Sequence, residues 1–226
     1  MKSGESIIMD KDIGDAVHDL RFLLSRGYNR KTSVSMVGDK YQLGSTERQI
    51  LYRAVYDEET AERHKEKKAS VAKVKGKRLG IDGYNVVITV ESMLSEKMLI
   101  LCDDGFVRDV SGVYGKHKPT SLTKNALDLI VQLVQPHDPF QVGFFYDSQV
   151  SLSGEIASLT RSKLQDNSIS GKAEAVKKSD ISTLKYGDLV SSSDLVLIEK
   201  ADLLVDLAGE IIKKHSPSKI IDIAKI

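Results

Sequence analysis

The rhythm of apolar positions along this chain changes near residue 75. Ahead of that point, from Asp10 to about Arg26, Ile13, Val17, Leu20 and Leu24 recur at helical spacing, and acidic residues crowd the first turns, where the helix dipole favours them. This segment is predicted to be a helix that ends at Gly27. The stretch RGYNRKTSVSMVGDKYQL that follows reads as irregular or briefly extended. Thr46, with Gln49 three positions on, forms a capping-box pattern before Ile50, Leu51, Ala54 and Val55. A second helix is expected there, running on through charged residues to about Val71. The domain boundary is placed between Val74 and Lys77, which gives a small, basic, mainly helical domain over residues 1–75 and a second domain over 76–226.

In the second part, short runs rich in β-branched and aromatic residues alternate with amphipathic stretches. The strand candidates are RLGIDGYNVVITV, MLILCDDG, QVGFFYDS, KAEAVK, DLVSSSD and LLVDLA. Between Thr120 and Gln135, Leu122, Ala126, Leu129, Ile130, Leu133 and Val134 share one helical face, and Ser153 is placed to cap a helix holding Ile156, Leu159 and Leu164. Such alternation predicts an α/β fold, a mostly parallel sheet flanked by helices. FVRDVSGVYG reads instead as a hairpin or loop inserted into that framework.

Composition sharpens this picture. A 41% hydrophobic share and a 29% charged share over 226 residues describe a chain that folds. The net charge of +1 conceals an asymmetry: residues 1–80 hold 17 Lys/Arg against 12 Asp/Glu, and the remainder 16 against 20. A basic front beside an acidic back suits a phosphate-rich partner, and Arg26, Arg30, Lys31 and Lys40 interleaved with Tyr28 and Tyr41 suit nucleic-acid backbones and base stacking. Cys102 is the only cysteine, which excludes a disulfide framework and a cysteine zinc site. No apolar run is long enough to span a bilayer and the first ten residues lack a signal-peptide core, so the expected location is the cytoplasm.

The candidate chemistry lies in where the apolar runs stop. RLGID ends at Asp82, LILCDD at Asp103 and Asp104, VGFFYD at Asp147, and DLVSSSD at Asp194. In an open parallel sheet the carboxyl ends of the strands face one crevice. Carboxylates gathered there repel one another unless a cation intervenes, and oxygen-only ligands point to Mg²⁺ or Mn²⁺. Such ions bind phosphate and activate water against phosphorus.

At Asp82 the pattern becomes specific. Gly80-Ile81-Asp82-Gly83-Tyr84-Asn85-Val86, followed by Tyr146-Asp147-Ser148 and then Ser192-Ser193-Asp194, resembles the NYN and PIN-like nuclease superfamily. The RGY…VGDKYQL…ERQ pattern ahead of it is similar to an uncharacterised archaeal-type family in which a DUF434-like domain precedes a DUF5616-like, PIN-like domain. The resemblance implies a Mg²⁺- or Mn²⁺-dependent ribonuclease with Asp82, Asp147 and Asp194 as metal ligands and catalytic acids. Asn85 would orient the loop or touch phosphate. Asp180 falls in the interval where the family carries a further acid, while Asp103 and Asp104 lie in an insertion that does not align. Ser148 and Ser193 flank these acids, and Arg108 and Lys116 border the inserted hairpin as candidate phosphate contacts.

Plainer roles compete at each position. Asp82 before Gly83 could cap its own turn, Asp147 and Asp194 could cap helices, and Asp103-Asp104-Gly105 could be a hairpin turn. His117 is either a phosphate contact or an exposed loop residue, and Cys102 a small buried hydrophobe. The main alternative to a ribonuclease is a non-catalytic RNA- or protein-binding module on the same fold. A phosphotransferase with Asp82 as nucleophile ranks last, because Tyr84 stands where its acid/base carboxylate belongs.

Overall fold

The structure, a computed structural model, describes residues 11–110, 117–217 and 220–226. Helices α1 (Lys11–Ser25), α2 (Arg30–Lys40), α3 (Ser45–Ala54) and α4 (Glu58–Glu66) come first, then strands β1 (Lys68–Ala69) and β2 (Arg78–Asp82), helix α5 (Gly83–Leu94), strands β3 (Leu99–Leu101) and β4 (Val107–Asp109), and helix α6 (Ser121–Val134). They are followed by β5 (Gln141–Asp147), α7 (Ser153–Asp166), β6 (Gly171–Val176), α8 (Ser179–Tyr186), β7 (Leu189–Ser191), α9 (Leu195–Lys200), β8 (Leu204–Val205), α10 (Leu207–His215) and β9 (Ile220–Asp222). No helix among the described residues is long and apolar enough to cross a membrane.

The chain forms two units, divided by more than the one cut expected near residue 75. The first takes the described residues up to Glu66 together with Met98–Val110 and residues 220–226, and the second takes the rest. Spacing alone could not show that the hairpin and the C-terminus join the N-terminal helices, because such pairing is long-range.

In the first unit, the apolar stripe of α1 buries Ile13, Val17 and Leu20, and the helix gives way at Gly27, whose φ is +79°. The segment expected to be irregular is helix α2. Asn29 starts it, its side chain accepting the Thr32 N–H, and Val34 and Val37 face inward. Helix α3 is capped two residues earlier than expected, by Glu47, which accepts the Gly44 N–H at 2.6 Å. It stops at Ala54, and α4 is a separate helix. Beside them β3 pairs antiparallel with β4 and parallel with β9.

The turn of that hairpin carries Asp103 and Asp104 inward. Asp104 accepts two hydrogen bonds from the Arg108 guanidinium, at 2.7 and 2.8 Å, and lies 3.2 Å from His64 Nδ1. Arg21 binds Asp103, which also accepts the Tyr56 N–H. Burial alone would raise the Asp104 carboxyl, but the charge of Arg108 and the bonds from His64 and Phe106 outweigh it and hold the acid well below the usual carboxylate range.

The second unit holds a six-stranded parallel sheet in the order β1-β8-β7-β2-β5-β6. Helices α5, α6, α7 and α10 pack together on one face, and α8 and α9 lie on the other. The parallel sheet with helices on both faces is the expected one. Ile81, Val142 and Phe144 meet Ile130, Val131, Val134 and Leu164 on the first face. Gly80 and Gly143 open the second, letting the Thr183 backbone and the Tyr186 ring approach the strands. The predicted strand over residues 78–90 is corrected: β2 ends at Asp82, and GYNVVITV is the start of α5. Val86, Val87, Ile88 and Val90 are all buried there, so tertiary burial outweighs their preference for strands. Ser153 is the first residue of α7 rather than its cap, which is Leu152 at φ +64°.

Replacing Arg108 with Met leaves Asp104 charged and buried without its guanidinium, with His64 and the Phe106 N–H beside it. Arg108→Met is expected to cost about 3–5 kcal/mol in urea unfolding, and Asp104→Leu/Arg108→Met together to recover most of it. A single variant within about 1 kcal/mol of wild type, the scale of an exposed pair, would show that the buried pair is not holding the unit together. The stabilisation belongs to pH values above the unfolded carboxylate pKa and is lost as pH falls through the depressed folded one.

Candidate functional site

The chain leaves β2 to build β5 and β6 on one side of it and then crosses back to build β7 and β8 on the other. The strand order therefore reverses between β2 and β7, and a crevice opens outside their carboxyl ends. Asp82 ends β2 at this point.

The two loops are stitched together. Ser192 Oγ donates to Asp82 Oδ2 at 2.9 Å and accepts the Asp194 N–H at 3.0 Å. Asn85 Oδ1 accepts both the N–H and the hydroxyl of Ser193, at 2.8 and 3.1 Å. Glycine at position 83 is a steric requirement, since a Cβ there would run into the Tyr146 ring. That contact seats the start of α5 on the end of β5.

Asp82 is 7% exposed, and its carboxyl is pushed up to about 7. Burial is the main cause, and the charges of Asp194 and Asp180 add to it; the hydrogen bonds from Ser192 and the Asn85 backbone act against the rise without cancelling it. Asp82 thus feels the charges of both Asp194 and Asp180. Asp180 sits in the first turn of α8. Asp194 is exposed, and its side chain also caps α9 by accepting the Val196 N–H. Asp147 ends β5 half-buried, and its Oδ1 closes a turn by accepting the Gln149 N–H.

The remaining candidates separate. Ser148 is exposed and Ser193 buried against Asn85. Arg108 belongs to the first unit and is committed to Asp104 at 3% exposure, which removes it as a phosphate contact. Lys116 lies outside the described residues. Asp103 and Asp104 are the buried turn described above. Cys102 is buried, its thiol pushed up to about 12 by burial first, which leaves it inert. In the basic stretch, Arg30 is spent on the Tyr52 and Val55 carbonyls and Lys40 on Asp19, whereas Arg26, Tyr28 and Lys31 are exposed.

Ser192, quoted in the sequence only as part of a motif, and the cluster behind α5 had no role assigned from the sequence. Glu91 binds His117 Nε2 at 2.9 Å and the Thr123 hydroxyl, so His117 is buried and not an exposed loop residue. The available signal was Glu91 itself, a lone acid in the apolar run VVITVESML.

Among the described residues no three acids, histidines or cysteines stand close enough to cage a metal ion. The donors present are all carboxylate and hydroxyl oxygens. They suit a hard, largely hydrated ion held by one or two carboxylates and completed by phosphate, and they do not form a closed protein cage.

Residues 71–210 match the family described as a domain of unknown function (DUF5616), and residues 13–67 match a protein family of unknown function (DUF434). An uncharacterized protein of Methanocaldococcus jannaschii is 32% identical over 203 residues, covering 89% of this chain and 97% of that protein. No solved structure matches. The two-part family arrangement is thereby shown, and the nuclease superfamily is not among the matches.

Because the Asp82 carboxyl is raised in the folded state, it holds its proton where the unfolded chain has lost it. Stability should therefore fall as pH rises from about 4 to about 7. The predicted loss is at most about 4 kcal/mol. Thermal melts across that range should show the fall for wild type and a flatter curve for Asp82→Asn; identical curves would mean that Asp82 is an ordinary solvated acid.

Proposed function

We propose that this chain, which belongs to the DUF5616 family, is a Mg²⁺- or Mn²⁺-dependent ribonuclease that hydrolyses phosphodiester bonds at the β2–β7 crevice. The observation that carries the reading is the state of Asp82: buried at the switch point and raised to about 7, by burial first and by the charges of Asp194 and Asp180. Negative charge concentrated without an internal counter-ion is what a divalent cation relieves, as the contrast with the fully paired Asp104 makes plain.

Asp82, with one of Asp194, Asp180 and Asp147 as the second carboxylate, would hold the ion. When bound, the ion supplies charge neutralisation at phosphate and lowers the pKa of a water. The chain's own residues do the rest. Ser192 fixes the orientation of the Asp82 carboxylate. Asn85 ties the first turn of α5 to the β7 loop, so the N-terminal end of that helix, favourable to a phosphate, keeps its aim. RNA is the substrate that the resemblance of these motifs to NYN and PIN-like nucleases implies.

One observation favours a second reading, a binding module that cuts nothing. The side chains of Asp147 and Asp194 already cap their own turns, and no acid trio is gathered in advance among the described residues.

Calorimetric titration of Mn²⁺ into wild type and Asp82→Asn/Asp147→Asn, with cleavage of a mixed RNA pool followed alongside, separates the two. The ribonuclease reading predicts that wild type binds and cuts, and that the variant loses binding and on the order of 100-fold or more in rate. A wild type that binds no metal ends the argument from clustered carboxylates. One that binds metal and RNA without cutting is the binding module.

A further inference from the structure

The second unit carries another concave site, at the opposite pole of the sheet from the acids. A cavity of about 500 Å³ opens between Gly76, Asp138, Phe140, Asn167, Ser168 and Ser170. Its rim is built by two segments lying antiparallel: Lys75 bridges Pro139, the Gly76 N–H donates to the Asp138 carbonyl at 2.9 Å, and the Phe140 N–H donates to the Lys77 carbonyl at 3.0 Å. The turn Val71–Val74, which carries Lys73, packs beside Gln135–His137.

Three features of this cavity agree. Phe140 leaves 63% of its surface in water, an aromatic face with nothing stacked on it among the described residues. The opposite wall is acceptor-rich. It is formed where α6 and α7 end, with Gln135 Nε2 donating to the Asn167 carbonyl and the Asp138 carboxylate nearby, and helix C-termini carry partial negative charge. Lys73, Lys75 and Lys77 are exposed on the segment that carries Gly76 past the cavity; Lys77 also acts on Asp188, and neither Lys73 nor Lys75 has an ion-pair partner among the described residues.

We infer that this cavity binds one nucleotide of a single-stranded RNA, with an amino-bearing base stacked on Phe140 and flanking phosphates on Lys73, Lys75 and Lys77. A ring that stacks satisfies Phe140, and base–aromatic stacking is worth about 1–3 kcal/mol per base. An exocyclic amino group answers the acceptor wall, which would repel a phosphate placed there. Three lysines, rather than a single cation, favour a strand over a free mononucleotide. The site goes beyond the crevice chemistry, because it would serve a protein that cuts RNA or one that only holds it. The seven residues of β5 separate it from Asp147, about 20 Å at the usual rise per residue.

The test is fluorescence anisotropy of the full chain with labelled oligoadenylate and oligouridylate eight nucleotides long, in EDTA so that neither metal binding nor cleavage contributes. Wild type should prefer oligoadenylate. Phe140→Ala should weaken that binding by roughly 10-fold, while Phe140→Tyr, which keeps a stacking ring, retains it. Lys73→Gln/Lys75→Gln should reduce the salt slope by about 0.7 for each lysine removed. All these side chains are exposed, so unchanged thermal melts will show that the variants fold. Affinity unaffected by Phe140→Ala, or no preference for the amino-bearing base, overturns the assignment. Displacement of the oligomer by adenosine monophosphate at equal concentration overturns the strand in favour of a free nucleotide. A failure here leaves the Mn²⁺ and cleavage results untouched, and the two readings are distinguishable.

Discussion

Parallel pairing of β2 on both its edges is the constraint from which the candidate site follows. Leu79, Gly80 and Ile81 register against Val142, Gly143 and Phe144 on one side and against Leu189, Val190 and Ser191 on the other. A strand so held can deliver its last residue to only one place. That residue is Asp82, and the residue that follows β7 is Ser192, which bonds it. The close contact of Gly83 with Tyr146 then sets where α5 begins, and Asn85 on its first turn reaches the serine loop. Backbone pairing and one missing Cβ thus bring together residues more than a hundred positions apart.

Two buried acids in this chain show what their neighbours decide. Asp104 is enclosed yet fully compensated: Arg108 meets it with two hydrogen bonds and holds it ionised. Asp82 is almost as buried, but its nearest charges are carboxylates and its partners are a hydroxyl and a backbone N–H, so its carboxyl rises. Desolvation is common to both, and the sign of the outcome turns on the counter-charge. Asp104 is therefore a fixed part of the first unit's interior. Asp82 is a charge left unresolved at the mouth of a crevice, the kind of group that marks functional sites more often than it stabilises folds.

The sequence made much of this legible. Apolar runs ending in aspartate marked the ends of β2, β5 and β7, and the amphipathic stripe from Leu122 to Val134 marked α6. What escaped has identifiable causes. GYNVVITV carries strand-favouring residues into a helix because every side of that helix is buried, and propensity yields to burial. Lysine and arginine in the N-terminal stretch masked the cap at Asn29, and α2 went unseen. Arg108 read as a surface cation because nothing local announces that Asp104, four residues away, turns inward with it. The assembly of the first unit from three stretches of chain depends on strand pairing across more than a hundred residues, which no periodicity encodes. Conversely, the helix-capping role offered for Asp194 is met at α9, alongside the charge it exerts on Asp82, whereas Asp147 closes a turn ahead of α7, whose cap is Leu152.

The account rests on Asp82 being an acid whose proton a cation would displace. The direct measurement is a ¹³C NMR titration of its carboxyl carbon, assigned by comparison with Asp82→Asn, in metal-free buffer and again in excess Mg²⁺. The account predicts an apparent pKa of about 7 without the ion and a clear fall with it. A carboxyl that titrates near 4 in metal-free buffer, as a solvated aspartate does, or one that Mg²⁺ leaves unmoved, would contradict it.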